Sequence, residues 1–96
     1  MGDYDAINER NAALACAAGW PELTGKPTQV PWAITVRQNK LDEFDAGQIA
    51  EPERGQVRAV LLRETRAAVW LDNRAHPWRV MWLVNLTDTE RAALLG

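Results

Sequence analysis

The chain has 96 residues, of which 47% are hydrophobic and 25% are charged, and it carries a formal net charge of −2. This length fits one domain with a single core, and the composition is that of a globular protein, which excludes a disordered chain. The acidic total argues against a generic nucleic-acid binder, because such proteins usually carry a net positive charge.

Two features of the sequence predict a cytoplasmic protein. No apolar run approaches the ~18–20 residues that a membrane helix needs, and the stretch MGDYDAINER is acidic where a signal peptide would be basic. The single cysteine, Cys16, has no second cysteine for an internal disulfide, which fits a reducing compartment. Because Cys16 lies in an alanine-rich stretch, we interpret it as a small packing residue and not as a nucleophile.

The first predicted element is a helix that ends near Gly19. Asp3 or Asp5 can accept the free amide hydrogens of the first turn, and the segment AINERNAALACAA is rich in helix formers. A glycine is usual at a left-handed C-terminal cap. The apolar residues that share one face of this helix are Ile7, Leu14 and Ala18, with Ala15 close to them.

The next three segments are predicted to be a loop, a strand and a second loop. Residues 20–31 hold three prolines and a glycine, which predicts an extended connection. Residues 32–38, WAITVRQ, alternate large apolar side chains with small or polar ones, the period expected of a strand with one buried face. Residues 39–55 are polar and acidic, which predicts a long loop with a short helical turn.

The stretch QVRAVLLRETRAAVWLD carries two competing patterns. Residues 57–63 and 67–72 each alternate over a strand's length, with the polar ETR as the break between them. A helical series through Val57, Val60 and Leu61 is present as well, and the Ala, Leu, Arg and Glu residues favour helix. A β-hairpin is the favoured interpretation, and the helix remains the alternative.

The C-terminal part predicts one more strand and a helix. The connection NRAHP is followed by WRVMWLVN, a predicted strand over residues 78–84. Thr87 and Glu90 then have the spacing of a capping box, which predicts a short C-terminal helix.

These elements predict an α+β domain. Its antiparallel sheet would have about four strands, the last three joined as consecutive hairpins, and an N-terminal helix and a short C-terminal helix would flank it. Pairing residues 67–72 with 78–84 around NRAHP would bury Trp70 and Trp82 at the centre of the sheet and leave Trp78 at its rim.

The sequence offers little catalytic chemistry. The only histidine, His76, lies in a predicted loop with no visible chemical partner, and no metal-ligand pattern is present. We therefore expect no enzymatic activity, no cofactor and no metal.

Two groups of residues are the candidate binding sites. The first lies in the Trp- and Arg-rich stretch VWLDNRAHPWRVMW and consists of Arg74, His76, Trp78 and Arg79, because exposed Trp and Arg commonly anchor protein interfaces. The second is the acidic group Asp42, Glu43, Phe44 and Asp45, in which Phe44 would be an apolar anchor and the charges would steer a basic partner.

The favoured function is docking on another protein as a small inhibitor or adaptor, of the kind carried by phages or mobile elements, with a homodimer as a further possibility. The alternative is a nucleic-acid-binding accessory protein, because residues 54–96 carry seven arginines against four carboxylates, a net charge of +3. In that alternative, bases would stack on tryptophans while arginines contact phosphates.

Overall fold

The computed structural model describes residues 3–95, and the regular secondary-structure elements of this part of the chain are all α-helices. Its helices are α1 (Asp3–Ala17), α2 (Val30–Ala46), α3 (Glu53–Leu61), α4 (Ala67–Asp72), α5 (Trp78–Asn85) and α6 (Asp88–Leu95). Between residues 3 and 95 there is no strand, and one parallel bridge joins Thr24 to Arg66. The predicted α+β fold with an antiparallel sheet is therefore wrong.

Helix α1 confirms the predicted N-terminal helix but not its packing face. Gly19 has a positive φ of 72°, and the Trp20 amide donates to the Ala15 carbonyl at 3.0 Å, as in a left-handed cap. The residues of the expected apolar face, Ile7, Leu14 and Ala18, are exposed, whereas Asn8, Asn11 and Ala15 are buried. Cys16 is also exposed, so its predicted packing role is wrong.

The polar face of α1 packs on α2 because Thr35 joins the two asparagines. Asn11 donates a hydrogen bond to the Thr35 hydroxyl at 3.0 Å, and that hydroxyl donates to the Asn8 side-chain oxygen at 2.7 Å. Buried polar groups need such partners, and here they are satisfied across the helix pair. The contact uses small and polar side chains, so the larger apolar residues of α1 are left at the surface.

Helix α2 replaces the predicted strand at 32–38 and the first part of the loop predicted at 39–55, up to Ala46. Pro31 lies in its first turn, where the missing amide hydrogen costs nothing. The buried residues of α2 follow helical spacing: Ala33, Arg37, Lys40, Leu41 and Phe44. Asp42 and Glu43 lie on the solvated face of α2. The polar and acidic character of this face is the reason that residues 39–55 were predicted to be a loop.

The segments predicted as strands at 57–63, 67–72 and 78–84 are also helical, except for residues 62 and 63, which form a turn after α3. The break at ETR is real, because α3 ends at Leu61 and α4 begins at Ala67. In α5, Met81 is buried, and the half-buried Trp78, Trp82 and Asn85 lie on the same helix face at the i, i+3, i+4, i+7 spacing; Val80 is half-buried outside this face. Short apolar runs satisfy both periods, and here the helical one applies.

The core lies where α2, α4 and α5 meet the α1–α2 connection. Its fully or nearly buried members are Leu23, Ala33, Leu41, Phe44, Leu61, Ala67, Trp70 and Met81. Trp70 is 0% exposed, and its indole N–H donates to the Glu64 carbonyl at 3.0 Å, which satisfies the polar edge of the ring. The predicted burial of Trp70 is confirmed, but Trp82 is only half-buried and not central.

The loop between α1 and α2 is fixed to the α3–α4 connection at Thr24. The Thr24 amide donates to the Thr65 carbonyl at 2.7 Å, and the Ala67 amide donates to the Thr24 carbonyl at 2.8 Å. The next residue, Gly25, has a φ of 153°, and an added Cβ would lie 2.9 Å from the Ala67 Cβ. A glycine is therefore required where this loop crosses α4.

The predicted capping box at the start of α6 is confirmed. The Glu90 amide donates to the Thr87 hydroxyl at 3.1 Å, and the Thr87 amide donates to the Glu90 carboxylate at 2.8 Å. Each side chain thus satisfies a backbone donor that the first turn cannot pair.

Replacing Thr87 with alanine is expected to cost about 1 kcal/mol of unfolding free energy, because the Glu90 amide loses its acceptor. Chemical denaturation measures the difference. Thr89→Ala is the matched control, since Thr89 is an exposed threonine of the same helix. Equal unfolding free energies for the two variants would contradict a stabilising cap at Thr87.

Candidate functional site

The acidic group on α2 is largely engaged within the chain. Phe44 is 1% exposed and belongs to the core, so the ring does not lie at the surface as an apolar anchor would. Asp42 accepts a hydrogen bond from Gln38 at 3.0 Å, and Glu43 pairs with Lys40 at 3.4 Å. Asp42 and Glu43 are exposed, while Asp45 is half-buried.

Asp45 binds two arginines that extend from α3. The Arg54 guanidinium lies 3.2 Å from the Asp45 carboxylate, and Arg58 bonds the same oxygen. Burial raises the pKa of Asp45, but the hydrogen bonds and charges of Arg58 and Arg54 outweigh it and hold the pKa below its usual value. Asp45 therefore joins α2 to α3.

The residues predicted around the NRAHP connection lie at the surface beside α5. Arg74 donates to the Leu71 carbonyl at 2.7 Å, and a ring nitrogen of His76 lies 2.9 Å from the Asn73 side-chain oxygen. Trp78 is half-buried with its ring edge-on to Phe44 at 4.9 Å, and the Arg79 guanidinium lies 5.5 Å from the Trp78 ring centre. Trp78 is thus partly a packing residue, and Arg74, His76 and Arg79 are exposed.

Most arginines of the second half of the chain bind carboxylates of the same chain. Besides the Asp45 pairs, Arg63 binds Glu90 through contacts of 2.6 and 3.0 Å, and Arg66 binds Glu64 at 2.9 Å. The hydrogen bond from Arg63 and that from the Thr87 amide lower the pKa of Glu90 to about 2. These pairs offset the positive charge on which the nucleic-acid alternative depends.

An exposed aromatic groove lies between α1 and α2. The rings of Tyr4 and Trp32 are tilted at 46° with centres 5.4 Å apart, and these side chains are 65% and 43% exposed. The groove has a volume of about 520 Å³. Its lining residues are Tyr4, Ile7, Asn8, Trp32, Thr35, Val36, Asn39, Lys40 and Arg74, and we call it the α1–α2 groove.

The local sequence explains why this groove carries so much apolar surface. Asn8 turns toward Thr35, so Tyr4 and Ile7, three residues apart on α1, flank the helix contact and stay exposed. Trp32 follows Pro31 in the first turn of α2, where it meets Tyr4. Monomeric proteins rarely leave large contiguous apolar patches exposed without a binding role.

The charged residues of the α1–α2 groove are both basic. Lys40 is buried and paired with Glu43, whereas Arg74 is exposed and makes no ion pair with any residue that the structure describes. Of the sequence-predicted site residues, Arg74 alone lines the groove, at the end contributed by the α4–α5 connection.

Sequence reasoning missed the aromatic part of this groove. Trp32 was assigned to the buried face of a strand, and Ile7 to the packing face of α1. The available signal was the pair Asn8 and Asn11, because their i, i+3 spacing could have indicated a polar packing face. Tyr4 and Ile7 would then have been expected at its margin.

A second apolar groove lies between α3, α5 and α6, with a volume of about 680 Å³. Its apolar residues include Val57, Val60, Trp82, Leu86 and Leu94. The Arg63–Glu90 pair on its wall is neutral as a unit, and the exposed Glu53 adds one carboxylate to the lining.

Within residues 3–95, no three His, Cys, Asp or Glu side chains converge as metal ligands would. None of the helices in this part of the chain is both long and apolar enough to cross a membrane.

The chain was compared with protein-family models, curated proteins and solved structures, and it matches none of them.

Proposed function

We propose that this protein acts by docking on another protein through the α1–α2 groove, as a small inhibitor or adaptor without catalysis. The observation that carries this proposal is the convergence of Tyr4, Trp32 and Arg74, each exposed, from three separate segments of the chain. Tyr, Trp and Arg are the residue types most enriched among interface hot spots.

The partner that fits this groove is an amphipathic helix with an acidic residue. A groove between two helices accepts apolar side chains at helical spacing, as in other helix-in-groove complexes. Its uncompensated charge is the Arg74 guanidinium, which can hold a carboxylate through two parallel hydrogen bonds. A basic partner helix would instead be repelled by Arg74 and would have no carboxylate to meet along the groove lining.

The proposal is tested by comparing variants in capture and affinity measurements. A stoichiometric partner is captured from cells of the native host with the full chain, and its affinity is measured by calorimetry. Trp32→Ala and Arg74→Glu are each expected to weaken binding about 30-fold or more, which corresponds to a hot-spot loss of about 2 kcal/mol. Both variants should melt within a few degrees of the wild type, because both side chains are at the surface.

Two matched controls separate this groove from the other surfaces. Leu83→Ala removes an exposed apolar side chain near Trp82, and Arg79→Glu reverses an exposed charge that does not line the groove. Both are expected to bind like the wild type. If Arg79→Glu abolishes binding while Trp32→Ala does not, the interface is the α5 surface and the proposed groove is wrong.

Nucleic-acid binding and self-association are outcomes of the same set of experiments. Salt-sensitive binding to unrelated oligonucleotides, lost in Arg74→Glu, would support the nucleic-acid alternative and contradict protein docking. A mass that doubles with concentration and returns to that of a monomer in Trp32→Ala would make the groove a homodimer interface.

A further inference from the structure

Arg37 is a buried cation without a carboxylate partner. Its side chain lies on the inner face of α2 and is 1% exposed. Nη1 donates to the Pro21 carbonyl at 2.7 Å, and the guanidinium carbon lies 5.3 Å from the centre of the Trp20 ring. Nε is buried and has no hydrogen-bond partner, and no carboxylate of the described chain lies within ion-pair distance of Arg37.

This arrangement differs from that of the other buried charges in the described part of the chain. Lys40 pairs with Glu43, and Glu64 pairs with Arg66. Burial of an ion is costly unless an opposite charge or several hydrogen bonds replace the lost water, and Arg37 has one carbonyl and one ring. Burial accordingly lowers the pKa of Arg37.

Arg37 lines a cavity of about 490 Å³ between the C-terminal end of α1, the α1–α2 connection and α2. The apolar part of the lining includes Trp20, Leu23, Val30 and Ile34. This volume is in the range of small-molecule sites, which are mostly apolar with a few polar groups that fix the ligand's orientation. We call this cavity the Arg37 pocket; it shares no lining residue with the α1–α2 groove.

We propose that the Arg37 pocket binds a small organic monocarboxylate, with the carboxylate on the Arg37 guanidinium and the hydrocarbon part against Trp20, Leu23 and Ile34. One guanidinium balances one negative charge, and its planar fork matches the two oxygens of a carboxylate. A phosphate group carries more charge and requires more donors than one arginine supplies, and the apolar lining gives it nothing to contact.

The acidic residue Glu22 also lines the Arg37 pocket and provides a second variant for the test. Glu22 is exposed and does not pair with Arg37. Its charge opposes an anionic ligand, so neutralising Glu22 should strengthen carboxylate binding.

The test is a titration of the full chain with hexanoate, with hexanol and inorganic phosphate as matched probes, followed by NMR. Hexanoate is expected to shift the Arg37 Nε–H and Trp20 indole signals in a saturable manner and to raise Tm, whereas hexanol and phosphate should do neither. Arg37→Gln should weaken hexanoate binding at least about tenfold, and Glu22→Gln should strengthen it about two- to fivefold.

Arg79→Gln is the matched control, because Arg79 is a second arginine over a tryptophan ring but lies at the surface. It should bind hexanoate like the wild type. If Arg37→Gln does not fold, Glu22→Gln and Ile34→Ala test the proposal instead. Glu22→Gln is expected to strengthen hexanoate binding, and Ile34→Ala is expected to weaken it. Equal NMR shifts with hexanoate and hexanol, or no saturable shift with hexanoate, would overturn the proposal. Arg37 would then have only a structural role, joining α2 to the Pro21 carbonyl.

Discussion

Trp70→Ala is expected to cost the fold about 3–5 kcal/mol, the largest effect of any single substitution considered for this protein. The side chain is fully buried at the contact of α4 with the core, and its removal leaves a cavity that the surrounding helices can fill only in part. The Glu64 carbonyl would also lose the hydrogen bond that the indole N–H donates to it at 3.0 Å.

Chemical denaturation of Trp70→Ala and Trp32→Ala side by side provides the measurement. Trp32 is a tryptophan at the surface, so its removal is expected to cost about 1 kcal/mol or less. If Trp70→Ala does not fold, Trp70→Phe keeps most of the ring volume and should give a smaller but measurable loss. Equal losses at positions 70 and 32 would contradict the assignment of Trp70 to the core.

The features that could be predicted from the sequence are those set by local chemistry. Gly19 after α1 and the Thr87–Glu90 pair before α6 act through neighbouring backbone groups, so a short window of sequence contains everything they need. The polar ETR was predicted as a break as well, although between two strands, whereas it separates α3 from α4.

The sheet was predicted wrongly because short apolar runs satisfy two periods at once. In WRVMWLVN, alternation places Trp78, Val80 and Trp82 together, whereas helical spacing places Trp78, Met81 and Trp82 together. Propensity does not separate these in eight residues, and the packing partner decides. Here α5 packs on α2 and α3, which accept a helix face.

The candidate grooves could be predicted only in part for a related reason. Arg74 was predicted from its type and its loop position, both of which are local. The exposure of Tyr4 and Trp32 depends on which face of α1 packs on α2, and hydrogen bonds through Thr35 select the polar one. The general rule that apolar faces are buried therefore predicts the wrong packing face for α1, the one with Ile7 and Leu14, whereas the face with Asn8 and Asn11 is buried.

Arg66→Met is expected to destabilise the protein by about 1–3 kcal/mol at pH 7, because it leaves the buried Glu64 carboxylate without its counter-ion. Glu64 is 2% exposed and accepts hydrogen bonds from the Arg66 amide, Nε and Nη2 at 2.9–3.0 Å, with Asn85 at 3.4 Å. Burial raises the pKa of Glu64, but the hydrogen bonds and charge of Arg66 outweigh it, so the pKa lies below 4.5.

The pH dependence of this loss distinguishes a charge effect from lost packing. In the wild type the lowered pKa stabilises the fold above the unfolded pKa, and that stabilisation is lost as the pH falls. Arg66→Met keeps the burial of Glu64 and the hydrogen bond from the residue-66 amide but removes the guanidinium hydrogen bonds and charge, so the pKa of Glu64 should rise, and protonation should relieve the penalty in acid. The wild type loses stabilisation in acid and the variant loses its penalty there. The difference in unfolding free energy between the two proteins should therefore be smaller at pH 4 than at pH 7.

Urea denaturation at the two pH values, with Arg79→Met as the control, measures this difference. Arg79 is exposed and lies over Trp78 without a carboxylate partner among the residues described, so its replacement should have a small and pH-independent effect. A loss for Arg66→Met that is the same at pH 7 and pH 4 would show that the Arg66 side chain stabilises the α3–α4 connection by packing alone. A loss confined to neutral pH would establish Glu64 as a buried carboxylate whose charge is held by Arg66.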